Sequence, residues 1–403
     1  MQIKIAIFSS RKIFYINVLK LKGTCAIGHV NTVTDKVGTA VIGLGTIGSV
    51  HADWYSQILE SKLVAVCDVR ENVVKEFEAK YKVKGYTDYM DLLEDKRVEA
   101  VTIAVPHYLH SKVAIEAAKA GKHVAVEKPM CKTLEEANDM VKTVKKAGVC
   151  DLYMENLCFA PSFKLAKDII DKGGLGNVYL CRARESEDLG FGSATEKATV
   201  GGKMVAHAPI SSWYFDYEKT GGGALMSDGC HAVQYIRYIF DNAPPQKVYA
   251  EILYNLGMPK PKGIEDAALV VIRFKGNKIG VVETSFYATG GYDDTAEIYG
   301  NKGTIFLDIY KRNPIIVHSH AGYDMTGHSI FSSVENADKG WSFPIPEERF
   351  ALGYYHEQRH FLQSILKGKR PTVNFDDGKA TLEIMLAAYK SHQTGKAESL
   401  PLT

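Results

Sequence analysis

Two ionisable side chains stand out for the company they keep. Lys128 ends the run Gly121-Lys122-His123-Val124-Ala125-Val126-Glu127-Lys128-Pro129, in which Val124 to Val126 have the apolar, β-branched character of a parallel strand covered on both faces. Proline cannot donate to a sheet ladder and pushes the residue before it into extended backbone. Lys128 is therefore held at a strand's carboxyl end, which is where open α/β sheets bind ligands. His231 follows Gly221-Gly222-Gly223, which let backbone approach something closely, and Val233, Ile236, Ile239 and Phe240 after it lie at helical spacing. An imidazole and an ammonium are what the deprotonation of a hydroxyl calls for: a base working near neutral pH, and a cation that stabilises the developing alkoxide. Burial depresses a lysine's pKa, so the opposite division of labour stays open. A third pattern, His356-Glu357-Gln358-Arg359-His360, spells a zinc-helix motif. No third ligand follows at a recognisable spacing, and Phe361, Leu362, Ile365 and Leu366 give that helix a core face, so no metal is expected.

The elements that position these groups can be read around them. Thr39 to Ile42 lead into Gly43-Leu44-Gly45-Thr46-Ile47-Gly48 and a helix to about Leu59: the GxGxxG signature in its strand-to-helix setting, with the helix N-terminus facing a pyrophosphate. The next strand, Leu63 to Cys67, ends at Asp68, placed to accept hydrogen bonds from ribose hydroxyls and to repel a 2′-phosphate. This favours NAD, while Arg70 leaves NADP open. Helices and strands then alternate: Glu71 to Lys82, a strand near Tyr86, a helix from Tyr89, a strand over Ala100 to Val105, helices over Leu109 to Ala120 and Leu134 to Lys146, and a strand within Val149 to Met154. Such alternation predicts a doubly wound parallel sheet. Beyond a helix over Asn156 to Ile170 come long strand-like runs at 178–185, 247–254, 267–274, 279–287, 295–299 and 304–309, several joined by hairpin turns. They predict an α+β domain with a large, mostly antiparallel open sheet, so the division expected is an extension at 1–37, a Rossmann domain at 38–155 and a second domain at 156–403. One sheet face has no evident helical cover, which points to a homo-oligomer.

The chain has 403 residues, 46% of them hydrophobic, with 49 Lys and Arg against 47 Asp and Glu. That balance argues against nucleic acid or an anionic membrane as partner and leaves small polar substrates. Seven cysteines without a CxxC pair suit reduced thiols in a cytoplasmic protein, and no apolar run reaches the roughly 18 residues that span a bilayer. Residues 1–37 mix apolar residues with Lys4, Arg11, Lys12, Lys20 and Lys22, and read as a poorly ordered extension, an over-long start or an arm onto a neighbouring subunit.

Taken together, GLGTIG with Asp68, VPHYLH, AGKHVAVEKP, GGGALMSDGCH, and a tail reading GYYHEQRHFLQSILKGKRP then DDGKATLEIMLAAYKSHQTGK resemble the Gfo/Idh/MocA family of nicotinamide-dependent oxidoreductases, over about Val37 to Leu402. The resemblance implies a Rossmann domain, a substrate domain whose open sheet joins subunits, and sugars, glycosides or cyclitols as substrates. It makes Lys128 and His231 the catalytic pair and sets Gly43, Gly45, Thr46, Ile47, Gly48, Asp68, Arg70, Pro106, His107, His110, Glu127 and Lys128 beside the cofactor. Family members often have aspartate four residues before the histidine; here Ser227 stands there, with Asp228 one place later. Tyr153, Glu155, His207, Trp213, Tyr214, Asp216 and Asp228 are the expected pocket residues, since the aromatic and polar stretch from His207 to Asp216 could grip a sugar. That stretch and the glycine run favour a glycoside or larger sugar oxidised to a keto-sugar. A redox-neutral NAD-dependent glycosidase and a non-catalytic sensor are the competing readings.

Overall fold

The computed structural model describes residues 35–187, 213–256, 263–288, 292–310 and 348–402, together with the backbone of short strands outside them. Six parallel strands build the first sheet: β4 (Val37–Ile42), β5 (Ser61–Cys67), β6 (Lys84–Tyr86), β7 (Ala100–Ile103), β8 (His123–Val126) and β9 (Asp151–Tyr153), in the order β6-β5-β4-β7-β8-β9. The strands between are linked by helices α1 (Thr46–Gln57), α2 (Glu71–Tyr81), α3 (Tyr89–Glu94), α4 (His107–Lys119) and α5 (Leu134–Ala147). From β4 the chain runs outward through β5 and β6, then returns to lay β7 on the other side of β4. That reversal opens the crevice in which doubly wound sheets hold their ligands. The strands are short because they are buried on both faces: Ala40, Val41, Val66, Val101, Ile103 and Val124 to Val126 are all inaccessible to solvent.

One continuous helix expected after Met154 is in fact two elements. A 3₁₀ turn, Asn156–Phe159, gives way at Ala160 to α6 (Pro161–Asp171), because Pro161 has no amide to donate in a helix interior and instead takes the first helical position. The second sheet has seven strands in the order Gly303–Asp308, Thr295–Gly300, β10 (Val178–Ser186), Lys278–Ser285, Ala267–Phe274, Pro245–Leu253 and Glu398–Ser399. All pairings are antiparallel except that of β10 with Lys278–Ser285. Register aligns Ala250, Val270, Val282, Ala183 and Ala296 on the face covered by helices Cys230–Ile239 and Phe375–Thr394. The neighbouring row, Tyr249, Val271, Val281, Arg182, Glu297 and Phe306, faces outward.

The C-terminal helices return to the first sheet. Arg370 forms an ion pair with Asp151 at 2.9 Å, Lys145 pairs with Asp376 at 2.9 Å, and Gly378 lies where a Cβ would press on Met130 and Tyr153. Within the extension at the start of the chain, β1 (Gln2–Ser9) and β2 (Lys12–Leu21) pair antiparallel, and β3 (Thr24–Ile27) adds to β2. Ile3, Ile5 and Ile7 recur with the period of two that a strand needs.

Candidate functional site

At the carboxyl end of β4 the chain turns through Gly43, whose φ of +91° and close approach to the Ala104 carbonyl exclude a side chain. Gly45 is different, because a Cβ built there would meet nothing within 4 Å. It caps α1 with extended backbone and no side-chain bond to the helix amides, and the first turn carries no acid. An open cradle over uncapped amides suits a pyrophosphate. Across the crevice, Asp68 accepts hydrogen bonds from the Leu44 amide (2.8 Å) and from Arg70 through its amide, Nε and Nη2 (3.0, 2.8 and 2.9 Å). Burial alone would raise the carboxyl of Asp68, but these donors hold it below the usual range. The residue read as favouring NAD and the one left open for NADP are thus locked on each other. These features fit a dinucleotide: Gly43 to Gly48 would hold the phosphates and Asp68 the ribose.

Lys128 extends from the end of β8 and its Nζ donates to the Ser227 carbonyl at 2.8 Å, with Asp228 Oδ1 at 3.8 Å. Burial works against its charge, but Asp228, with Cys230, Tyr214 and Glu127 behind it, holds its pKa well above the usual value. Asp228 lies in Leu225–Gly229, a π-helical turn one residue wider than an α-helical turn, before the helix Cys230–Ile239 begins. His231, 5% exposed, lies at the start of the helix with Nδ1 hydrogen-bonded to Glu155 Oε1.

Several expected contacts are instead taken up by protein groups. Glu155 was expected to face substrate, but it is fully buried behind His231 and orients it. Tyr153, 1% exposed, belongs to the core under Gly378. Glu127, placed beside the cofactor by the sequence, accepts from His51 Nε2 at 2.7 Å and from the Lys128 amide at 3.1 Å; Gln358 donates to the other ring nitrogen of His51. Both nitrogens of His110 are 2.8 Å from carbonyls, of Pro129 and Val105, so its ring supports the Lys128 turn and has no nitrogen left for a ligand. Pro106 caps α4, and His107 starts it with its ring against Trp213 (5.0 Å) and Tyr214 (6.0 Å). Burial, with His110 and Lys128 nearby, holds His107 well below the usual imidazole pKa, hence neutral. Asp216 caps a short helical turn by accepting from the Glu218 amide and pairs with Lys219; it lines, with Phe215, Tyr217, Tyr254 and Tyr389, a cavity of about 640 Å³ that neither Lys128 nor His231 lines. His207 lies outside the described residues.

The glycine run packs against protein. A Cβ on Gly222 would lie 2.1 Å from the Tyr389 hydroxyl, and one on Gly223 would lie 2.1 Å from the Glu265 carbonyl oxygen. Buried Glu265 then accepts from the amides of Gly223 and Leu225 (2.7 and 2.8 Å) and from Tyr389 (2.8 Å). The close approach read from the sequence is real, but it is to these side chains, so the run gives no support to a larger glycoside. The zinc-like motif is likewise occupied: His360 Nε2 accepts from the Thr372 amide at 3.0 Å, His356 packs edge-on against Phe350 at 4.4 Å, and Glu357 is fully buried. Among the described residues no three His, Cys, Asp or Glu side chains are grouped so as to hold a metal ion.

The sequence reading missed the His51–Glu127–Gln358 chain, the Glu155–His231 pair, and a group of acids, Glu185, Glu187 and Asp294, beside Asp228. None has a local motif, since each joins residues from separate elements.

Comparison with known proteins agrees with this geometry. Residues 37–156 match the model of the oxidoreductase family with an NAD-binding Rossmann fold, GFO_IDH_MocA, and residues 163–306 match the GFO/IDH/MocA C-terminal domain. The chain is 30% identical over 363 residues to myo-inositol 2-dehydrogenase of Thermotoga maritima, covering 89% of this chain and 97% of that protein. It is 25% identical to levoglucosan dehydrogenase of Pseudarthrobacter phenanthrenivorans over 85% of this chain and 92% of the relative. Among solved structures, GenD2 from gentamicin A biosynthesis, in complex with NAD, superposes with a TM-score of 0.80 at 25% identity, covering 95% of this chain and all of that one. With both halves of the chain matched and the dinucleotide cradle intact, this protein belongs to the Gfo/Idh/MocA family of NAD-binding oxidoreductases.

Proposed function

We propose that the protein oxidises a secondary hydroxyl of a sugar, glycoside or cyclitol to a ketone, with His231 as the base and Lys128 as the cation that stabilises the alkoxide. The observation that carries this reading is the bond from Lys128 Nζ to the Ser227 carbonyl, which ties a strand end of one sheet to the turn that presents His231 from the other domain. Glu155 accepts the Nδ1 proton of His231 and so leaves the lone pair on Nε2. An imidazole held in that tautomer takes the hydroxyl proton without first losing one of its own. Lys128, kept charged beside Asp228, supports the polarising role over that of base. NAD, when bound, accepts the hydride from the carbinol carbon, and the Gly43–Gly48 turn and Asp68 are the groups that hold it. His107, neutral and packed with Trp213 and Tyr214, gives the cleft an aromatic wall suited to the apolar face of a ring.

The named relatives reported above are dehydrogenases, and neither a redox-neutral glycosidase nor a sensor gains support from them. We extend the proposal to assembly: the outward sheet face is suited to a second copy of the chain. The test of the chemistry is a panel of cyclitols, free sugars and glycosides scored for NADH by absorbance. Steady accumulation with a cyclitol or sugar is the expected result; sugar cleavage with no net NADH would favour the glycosidase.

A further inference from the structure

We propose that the substrate is a vicinal amino alcohol, an aminocyclitol or amino sugar, whose ammonium group is received by a wall formed by Asp228, Glu185 and Asp294 next to the reacting hydroxyl. The inference rests on the dehydrogenase reading above and adds the substrate's charge. Asp228 is 6% exposed; its Oδ1 is 3.8 Å from Lys128 Nζ, and its Oδ2 accepts no hydrogen bond among the described residues. Glu185 stands near the carboxyl end of β10. Arg184 beside it is registered with Thr295, so Asp294 lies across from Glu185. Glu185 is 9% exposed and Asp294 2%, and each has a buried carboxylate oxygen, Oε2 and Oδ1, with no hydrogen-bond donor among the described residues. Glu187 follows on the same strand end and accepts from Tyr292 at 2.6 Å.

Asp228 stands 3.8 Å from the Lys128 ammonium, and the charge of Lys128 also bears on Glu185 and Asp294. The nearest acceptor of that ammonium is a carbonyl. Burial first, and then neighbouring acids, push all three carboxyls above their ordinary range, with Glu185 set against Asp294 and Asp228 against Glu187 closely enough to share a proton. Neutral hydroxyls do not require this arrangement, because asparagine or glutamine would hold them without the cost of crowding buried acids. A protonated amine brings three N–H donors and the positive charge that lets these carboxyls ionise. The 3.8 Å between Asp228 and Lys128 fixes where that amine belongs. If Lys128 meets the reacting oxygen, the nitrogen falls on the adjoining carbon.

The test uses the full-length protein with NAD and matched pairs in which one hydroxyl is replaced by an amine: scyllo-inosamine against scyllo-inositol, and glucosamine and kanosamine against glucose. Oxidation is followed by NADH absorbance, and binding to the enzyme–NADH complex by calorimetry. The expected result is a kcat/KM preference for at least one amine of about tenfold or more at neutral pH, the size of a charge-assisted hydrogen bond, falling toward parity in Asp294→Asn and Glu185→Gln. Glu251→Gln, a change on the outward sheet face, controls for general loss of charge and keeps the preference. Equal or better turnover of every neutral parent overturns the inference and leaves the dehydrogenase reading standing. An amine that binds about tenfold tighter than its parent, with neither oxidised, upholds the ammonium-receiving wall but overturns the amine as substrate, together with the dehydrogenase reading. Failure of every amine to bind or react overturns the inference.

Discussion

Asp68 is the side chain proposed to set cofactor choice. Its carboxylate is held by Arg70 on one side and the Leu44 amide on the other, so the guanidinium that could meet a 2′-phosphate is already engaged. Asp68→Ala removes both the ribose acceptor and the restraint on Arg70. It is expected to lower kcat/KM for NAD and raise it for NADP, shifting the ratio by about tenfold or more in steady-state assays with each cofactor; an unchanged ratio contradicts this assignment. Buried Glu357 makes a pH prediction. Burial, then the charges of Glu127 and Glu155, push its carboxyl well above the ordinary value. A group whose folded pKa exceeds its unfolded one contributes stability that is complete below the unfolded value and is lost as pH rises through the folded value. Thermal unfolding should therefore show Tm falling as pH rises past the carboxylate range, and Glu357→Gln should flatten that fall; a steeper fall in the variant would refute it. At this scale the GxGxxG turn, Asp68, Lys128 and His231 were legible because each is marked by its immediate neighbours. Glu155 was not, since its partner lies 76 residues away and only the fold reveals whether an acid faces substrate or orients a histidine.

Among the elements, the segment from Gly221 to Gly229 does the most to shape the site. Glu265 clasps its amides, the absence of side chains at Gly222 and Gly223 lets it lie against Tyr389 and Glu265, and the π turn that follows carries Asp228, 3.8 Å from Lys128. Gly223→Ala places a methyl 2.1 Å from the Glu265 carbonyl oxygen, a backbone atom that cannot swing away. The expected cost is about 1–3 kcal/mol in denaturant unfolding, with a larger loss of turnover than of NAD affinity. Wild-type stability would mean that the segment has room not evident here. Strand positions in both sheets were legible from β-branched runs and hairpin turns, and the helix break at Pro161 follows from proline's missing amide. The π turn was not, because a one-residue widening leaves the hydrophobic spacing of the following helix intact.

At the scale of the whole molecule, the described residues cover the second sheet with helices on one face and not on the other. Outward residues include Leu253, Phe306, Tyr179 and Leu269, all about half exposed, around an ionic grid in which Arg182 meets Glu283 at 3.0 Å and Arg184 meets Asp293 at 3.0 Å. Apolar side chains ringed by paired charges are suited to burial against another copy. Light scattering at micromolar concentration is expected to show a dimer or larger assembly, and Leu269→Asp with Phe306→Asp to shift it toward monomer; a wild-type monomer contradicts the interface. The two-domain plan was legible as a change from alternating strands and helices to runs of strands. Which acids the two domains bring together was not, because that depends on how the end of β10 meets the end of β8. The central claim is that an ammonium from one domain and an imidazole from the other act on the same hydroxyl. Lys128→Ala, assayed with the best substrate of the panel and with NAD affinity measured by calorimetry, tests it most directly. The expected result is a loss of roughly a thousandfold in kcat with NAD binding preserved; near wild-type turnover would contradict that mechanism.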